Sequence, residues 1–183
     1  PSHTKRLHEE FSSLRHADLD FAGYLQRKEK LFAELRATVA TWDSKDEAWR
    51  SSRFNPASMV SRLADRAPYN RPFRLTLPRP KGQALLIHGL TDSPYSMKAL
   101  AESLHRRGFE VTVLRLPGHG TLPSMMTEMS TRDWTAAVRI AARDVAARAA
   151  AGQPFYIGGY STGGTLSLQY TLDALEDSSL RRP

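Results

Sequence analysis

The stretch "PFYIGGYSTGGTLSLQY", residues 154–170, places one serine among glycines where an apolar run gives way to a helical pattern. Its centre, residues 159–163, reads Gly-Tyr-Ser-Thr-Gly and matches the pattern GxSxG. A serine on a sharp turn between a strand and a helix is held above the edge of the sheet, and its neighbours must be small. Free amides at the start of the helix can stabilise an anion that forms beside the hydroxyl. The stretch therefore predicts that Ser161 is a nucleophile on a turn of the nucleophile-elbow kind.

The specificity of this pattern comes from its surroundings, because glycine and serine are common residues. An apolar segment precedes the serine, and "TLSLQYTLDAL", residues 165–175, follows it as a predicted helix. A phosphate-binding glycine loop is the competing interpretation, but no Lys-Ser/Thr pair completes a P-loop here, and the dinucleotide spacing GxGxxG is absent. A tight turn with an incidental serine is the purely structural alternative.

The rest of the second half alternates between strand and helix patterns. "QALLIHG" (83–89) and "EVTVLRL" (110–116) are short and apolar, as buried parallel strands are. Between the strands, the segments 93–108 and 130–152 carry helix start and stop signals. Ser93 is the predicted cap and Gly108 the predicted end of the first helix, and Ser130 and Asp133 have the spacing of a capping box at the start of the second. This alternation predicts an α/β fold with a mostly parallel sheet and flanking helices.

The first half of the chain has a different pattern and is predicted to form an N-terminal helical extension over residues 1–70. One apolar stripe recurs at spacings of three, four and seven, as on one face of an amphipathic helix: Phe21, Leu25, Phe32, Leu35 and Val39. We expect this stripe to pack on the protein's own core, and docking on a membrane or a partner is the less favoured alternative. Alternating apolar residues at 73–77 predict a strand that enters the main domain, residues 71–183.

A second candidate site feature is "LLIHGLTDSP", residues 85–94. Acyl transfer through a serine requires amide donors for the developing oxyanion, one from the residue after the nucleophile and one from the loop after an earlier strand. Thr162 and Leu90 occupy those two positions, so their backbone amides are the predicted oxyanion hole. Gly89 would let the backbone turn so that the Leu90 amide faces the site, while the His88 side chain is expected to be buried and hydrogen-bonded.

"LLIHGLTDSP", "LRLPGHG" (114–120) and "GGYSTGG" (158–164), in this order and spacing, resemble the first half of an α/β-hydrolase of the carboxylesterase and monoacylglycerol-lipase-like kind. The resemblance covers about residues 73–180. It implies a Ser-His-Asp serine esterase that cleaves carboxylic esters of small molecules, with no metal and no organic cofactor. It also implies that His119 lies near the rim of the substrate pocket.

The base and the acid of such a triad are not evident in these residues. In this fold they follow the nucleophile along the chain, yet the residues after Ser161 contain no histidine. Asp173 lies too far along the same predicted helix to orient a base at the hydroxyl, and His119 is the one upstream histidine considered as a substitute. The strand at 154–160 would also be left as a bare sheet edge. We therefore expect a C-terminal remainder beyond residue 183, in the same chain or as a separate one.

Composition restricts the partners and leaves the compartment open. The net charge of +7 comes from dispersed basic residues mixed with acidic ones, which does not favour nucleic-acid binding. Without cysteine the chain fits the cytoplasm and the periplasm equally. Two other functions stay open: an acyltransferase using the same site, and a non-catalytic binding or scaffold protein with a hydrolase fold.

Overall fold

The computed structural model describes residues 5–41, 54, 55, 57–59, 70–177 and 180. A short 3-10 helix, Pro94–Met97, leads directly into the second of the helices. The helices are α1 (Phe21–Ala40), α2 (Lys98–Arg106), α3 (Met125–Glu128), α4 (Thr131–Ala147) and α5 (Thr162–Glu176), and the strands are β1 (Phe73–Leu75), β2 (Gly82–Ile87), β3 (Phe109–Leu114) and β4 (Phe155–Gly159).

The strands form a single sheet in the order β1-β3-β2-β4. β2 lies between β3 and β4 and runs parallel to both, whereas β1 pairs antiparallel with β3. The predicted α/β fold, with a mostly parallel sheet and flanking helices, is confirmed. In the register of β2 and β4, Ile87 pairs with Gly159, so the two strands end side by side at the same edge of the sheet.

Helices cover both faces of the sheet because side chains alternate along its strands. On one face, Ala84 and Leu86 of β2 meet Val111 and Val113 of β3, under Ala101 of α2. On the other face lies the larger core cluster, to which the sheet, α1, α4, α5 and the segment before α1 contribute. Its buried members include Phe11, Tyr24, Leu85, Ile87, Leu114, Ala141, Val145 and Leu166.

The predicted signals for the start of α4 and the end of α2 are confirmed, whereas the predicted cap at Ser93 is not. Ser130 and Asp133 form the capping box expected at the start of α4, and Gly108 ends α2 with a φ of +97°. Ser93 precedes the 3-10 helix in an extended conformation, but its side chain makes no capping hydrogen bond. The cause is the 3-10 winding at Pro94, which replaces the expected first α-helical turn.

The N-terminal extension packs against the core with the predicted stripe of α1. Phe21, Phe32, Leu35 and Val39 are buried, together with Tyr24 and Leu31 beside them, while Leu25 is half-buried against the core. The first turns of α1 join the larger core cluster, and its later turns pack with Leu122 and Met125 in a second cluster. The packing of this stripe on the protein's own core is confirmed, and a domain boundary near residue 70 stays a prediction.

A buried ion pair fixes the segment before α1 to the loop after β3. The carboxylate of Glu10 accepts from both terminal nitrogens of Arg115, at 3.1 and 2.6 Å, and both residues are 1% exposed. Glu10 also accepts from the Gly118 amide at 2.9 Å, and Arg115 Nε donates to the His119 carbonyl at 2.6 Å. The Tyr24 hydroxyl donates to the Arg115 carbonyl at 2.6 Å. Residues 115–119 are therefore held in place by contacts with the N-terminal extension.

Replacing Glu10 with glutamine is expected to lower the free energy of unfolding by about 3 kcal/mol, because Arg115 would keep its charge without a buried counter-charge. The exposed pair Arg6–Glu128, 3.0 Å long, provides the control. Arg6→Gln should cost less than about 1 kcal/mol. Urea denaturation of both variants measures the difference, and equal losses would contradict the expectation.

Candidate active site

Ser161 lies at the junction of β4 and α5 in a strained backbone conformation. Its φ is 50° and its ψ is −124°, a combination of backbone angles that residues other than glycine rarely adopt. It directly precedes the first turn of α5, and its side chain makes no capping hydrogen bond. The residue is exposed. The hydroxyl therefore belongs to a sharp strand-to-helix turn at the edge of the sheet, beside the amino end of a helix.

The glycines on either side of this turn allow two backbones to approach. A Cβ atom at Gly163 would overlap the carbonyl oxygen of Ile87 and would lie 2.6 Å from that of His88. A Cβ at Gly159 would overlap the same Ile87 oxygen. By contrast, a Cβ at Gly158 would meet nothing within 4 Å. The pattern GxSxG thus has a steric cause here, namely the contact between the turn and the end of β2.

The loop after β2 is joined to the turn by Tyr160. Its ring packs on Gly89, where an added Cβ would lie 2.9 Å from ring carbons, and its hydroxyl donates to the carboxylate of Asp92. Partial burial alone would raise the pKa of Asp92, but hydrogen bonds from the Tyr160 hydroxyl and the Ser93 amide hold that pKa below its usual value. Sequence patterns gave no signal for this link, because no local spacing relates residues 160 and 92.

The two predicted oxyanion-hole residues stand on these adjoining segments. Leu90 follows Gly89 in the loop after β2, and Thr162 is the first residue of α5. Neither backbone amide has a hydrogen-bond partner among the residues that the structure describes. Gly89 was expected to supply the turn in this loop, but the positive φ, 62°, belongs to Thr91. Gly89 is needed instead for the close approach of the Tyr160 ring.

His88 is buried and hydrogen-bonded, as predicted. Its Nε2 accepts from the Leu116 amide at 3.1 Å, so the proton is on Nδ1, which lies 2.9 Å from the Gly89 carbonyl. Burial lowers the pKa of this imidazole to about 4, and the neighbouring His119 and Arg115 act in the same direction. His88 is therefore a neutral link between the loops after β2 and β3.

His119 is buried, and its expected place near the rim of the substrate pocket stays a prediction. The residue is 1% exposed and its ring packs between His88 and Trp134, with centroids 4.9 and 5.6 Å away. The Arg115 guanidinium donates to the His119 carbonyl, so the buried ion pair also holds the backbone of this loop. Burial lowers the pKa of His119, and its Nε2 has no hydrogen-bond partner among the described residues.

Asp173 is occupied elsewhere, as its place along α5 suggests. Its carboxylate accepts from Arg139 of α4 at 2.7 Å. Within the described part of the chain, no three His, Asp or Glu side chains gather in a way that could hold a metal ion. No helix among the described residues has the length and apolar character that crossing a membrane requires.

Residues 84–181 match the sequence model of the alpha/beta hydrolase family, which is more than half of the chain. The chain belongs to this family.

Two relatives are described as lipolytic enzymes. A thermostable monoacylglycerol lipase from Bacillus sp. (strain H-257) is 39% identical over 84 residues, which are 46% of this chain and 32% of the lipase. A solved structure from work on LipS and LipT, two metagenome-derived lipolytic enzymes, has 33% identity and a TM-score of 0.54. That match covers 63% of this chain and 43% of the other. The chain thus spans about a third of one relative and less than half of the other.

The steric constraint at the turn predicts unequal effects of alanine at two neighbouring glycines. Gly163→Ala should lower the free energy of unfolding by about 2–3 kcal/mol, because the methyl group meets backbone that cannot move without distorting β2. Gly158→Ala, at an open position, should change it by less than about 1 kcal/mol. Chemical denaturation measures both, and a Gly163→Ala protein as stable as Gly158→Ala would refute the constraint.

Burial of neutral His88 predicts a loss of stability in mild acid. As the pH falls from about 6.5 towards 4, the unfolded chain binds a proton at this position that the folded chain does not. This contribution should lower the free energy of unfolding by about 2 kcal/mol between about pH 7.5 and 5. His88→Gln should remove that part of the pH dependence, whereas His105→Gln, at the end of α2, should not. Denaturation at both pH values tests this, and an unchanged slope in His88→Gln would be the contrary result.

Proposed function

We propose that this chain carries the nucleophile and the oxyanion-binding amides of a serine hydrolase that cleaves carboxylic esters. The observation that carries the proposal is the strained backbone of Ser161 at the start of α5. Residues held in sparsely populated conformations cluster at functional sites, since the surrounding structure must stabilise them at a cost of about 1–3 kcal/mol each. The lipolytic relatives support an ester as the substrate class.

In the proposed reaction, the Ser161 oxygen attacks the acyl carbon of the ester while a base takes the hydroxyl proton. The carbonyl oxygen becomes an oxyanion, which accepts hydrogen bonds from the amides of Leu90 and Thr162. The protonated base then donates to the departing alcohol, leaving an acyl group on Ser161. Water attacks this acyl-enzyme with the help of the same base and releases the acid.

Two observations support the oxyanion-binding role of these amides. Both are unpaired among the described residues, and the segments that bear them meet through Gly163 and Tyr160. The Thr162 amide also stands at the amino end of a helix of 15 residues, where the dipole favours negative charge. An anion formed beside Ser161 would therefore meet donors already in place.

The acid and the histidine of the triad are proposed to lie in sequence beyond residue 183. Within the chain no histidine follows Ser161, His119 is buried, and Asp173 is paired with Arg139. The outer face of α5 also exposes an apolar stripe at helical spacing, Leu168, Leu172 and Leu175, beside the last strand in the described sheet. Further chain that completes the sheet would pair with β4 and would cover the apolar stripe of α5.

A fluorophosphonate probe tests the nucleophile, because it forms a covalent bond only with an activated serine. In the full-length protein, peptide mapping should place the label on Ser161. Ser161→Ala should abolish labelling and lower the hydrolysis of p-nitrophenyl butyrate and of a monoacylglycerol by at least about 10³-fold.

Ser103→Ala, on α2 and remote from the turn, is the matched control and should be labelled like the unmodified protein. Absence of both labelling and ester hydrolysis in the intact protein would reject the proposed function and favour a non-catalytic role for the fold. Labelling without hydrolysis, together with transfer of the acyl group to an alcohol, would instead identify an acyltransferase.

A further inference from the structure

A cavity separate from the Ser161 turn lies between the segment before α1 and the helices α4 and α5. Its volume is about 630 Å³, within the roughly 300–1,000 Å³ of small-molecule sites. It is lined along one face of α4, from Arg132 to Arg143, by residues spaced three or four apart. The eleven steps of α-helix from Arg132 to Arg143 span about 16 Å, so the cavity is lined over a length that suits an extended ligand.

The wall formed by the N-terminal segment is fixed in place. Ser13 donates through its amide and its hydroxyl to the Asp133 carboxylate, at 2.7 and 2.8 Å. His16 closes a turn with Ser12, whose amide donates to the ring at 3.0 Å. Three residues upstream of Ser13, Glu10 is held by Arg115. The cavity is therefore bounded by anchored backbone.

The lining combines apolar and cationic side chains. Phe11, Leu19, Ala136 and Ile140 supply apolar surface. Along α4, Arg132 lies near one end of the lined stretch and Arg143 at the other end, with Arg139 one turn before Arg143. The carboxylates of Asp133 and Asp173 already have partners: Asp133 accepts from Ser13 and Ser130, and Asp173 accepts from Arg139.

Arg143 is the cation best placed to hold a ligand's charge. It lies one helical turn from Arg139, lines the same cavity as Gln169 of α5, and makes no ion pair with an acid among the described residues. Arg139 is partly neutralised by Asp173, so Arg143 carries the uncompensated charge at this end. An arginine fork matches the geometry of a carboxylate.

We propose that this cavity binds an alkyl carboxylate, with its carboxylate at Arg143 and its chain along Ile140 and Ala136 towards Phe11. The proposal is independent of the chemistry at Ser161. If that chemistry is ester hydrolysis, the acid it releases belongs to the same class of ligand, which would give the N-terminal extension a role in retaining or sensing product.

Calorimetric titration with dodecanoate tests the site in the full-length protein carrying Ser161→Ala, so that no covalent chemistry intervenes. Dodecanoate should bind more tightly than dodecanol, which lacks the charge. Arg143→Gln should weaken dodecanoate binding about tenfold and change dodecanol binding by less than about twofold. Arg106→Gln, on the opposite face of the sheet, is the charge-matched control and should have no effect.

A second pair of variants tests whether the ligand occupies the cavity. Ala17→Trp, on the exposed wall of the cavity, should block both ligands, whereas Ala40→Trp, at the end of α1, should block neither. A dodecanoate analogue with a terminal diazirine should crosslink to residues 11–19 or 132–143. Equal affinity for the acid and the alcohol, full binding by Arg143→Gln, or crosslinks confined to residues 88–92 and the Ser161 turn would overturn the proposal.

Discussion

Where β2 and β4 end, there is room for two backbones and for no side chain between them. The Ile87 carbonyl occupies the space that a Cβ of Gly159 or Gly163 would need, and the rest of the candidate site follows from this contact. This contact brings the first turn of α5 against the loop after β2. The chain then changes direction sharply at Ser161, which adopts a positive φ. Packing this dense resists small displacements, so the proposed nucleophile and its proposed oxyanion donors are held in a fixed relative position.

A second, outer set of contacts stabilises the loops behind that turn. His88 links the loop after β2 to the Leu116 amide, and Arg115 with Glu10 links the loop after β3 to the N-terminal extension. Breaking the buried ion pair therefore affects more than the stability of the extension, because the same guanidinium positions the His119 carbonyl. In this protein the segment that precedes the sheet in sequence is part of the support of the candidate site.

Local sequence patterns predicted most of the fold. They could not predict contacts between side chains that are far apart in the sequence. The strands, the helices α2, α4 and α5 and the capping box were predictable because periodicity and caps are encoded within a few residues of each other. The four-residue helix α3 was not predicted. The Glu10–Arg115 pair joins residues 105 positions apart, and an isolated charge in a sequence is ordinarily solvated, so nothing indicated its burial. The burial of His119, whose carbonyl accepts from Arg115, likewise has no local sequence signal. Tyr160 is a variable position of GxSxG, and no local pattern indicates that its ring requires glycine at position 89.

Thr91 and Ser161 are the two residues other than glycine with positive φ in the described part of the chain, and they stand on the two segments that meet at the site. For a β-branched threonine this conformation is costly, and glycine or asparagine would adopt it with less strain. A design for thermostability that removes backbone strain would therefore replace Thr91. Such a change would relax the loop that bears Leu90, so that heat resistance and a fixed position for the proposed oxyanion donor become competing goals at a single residue.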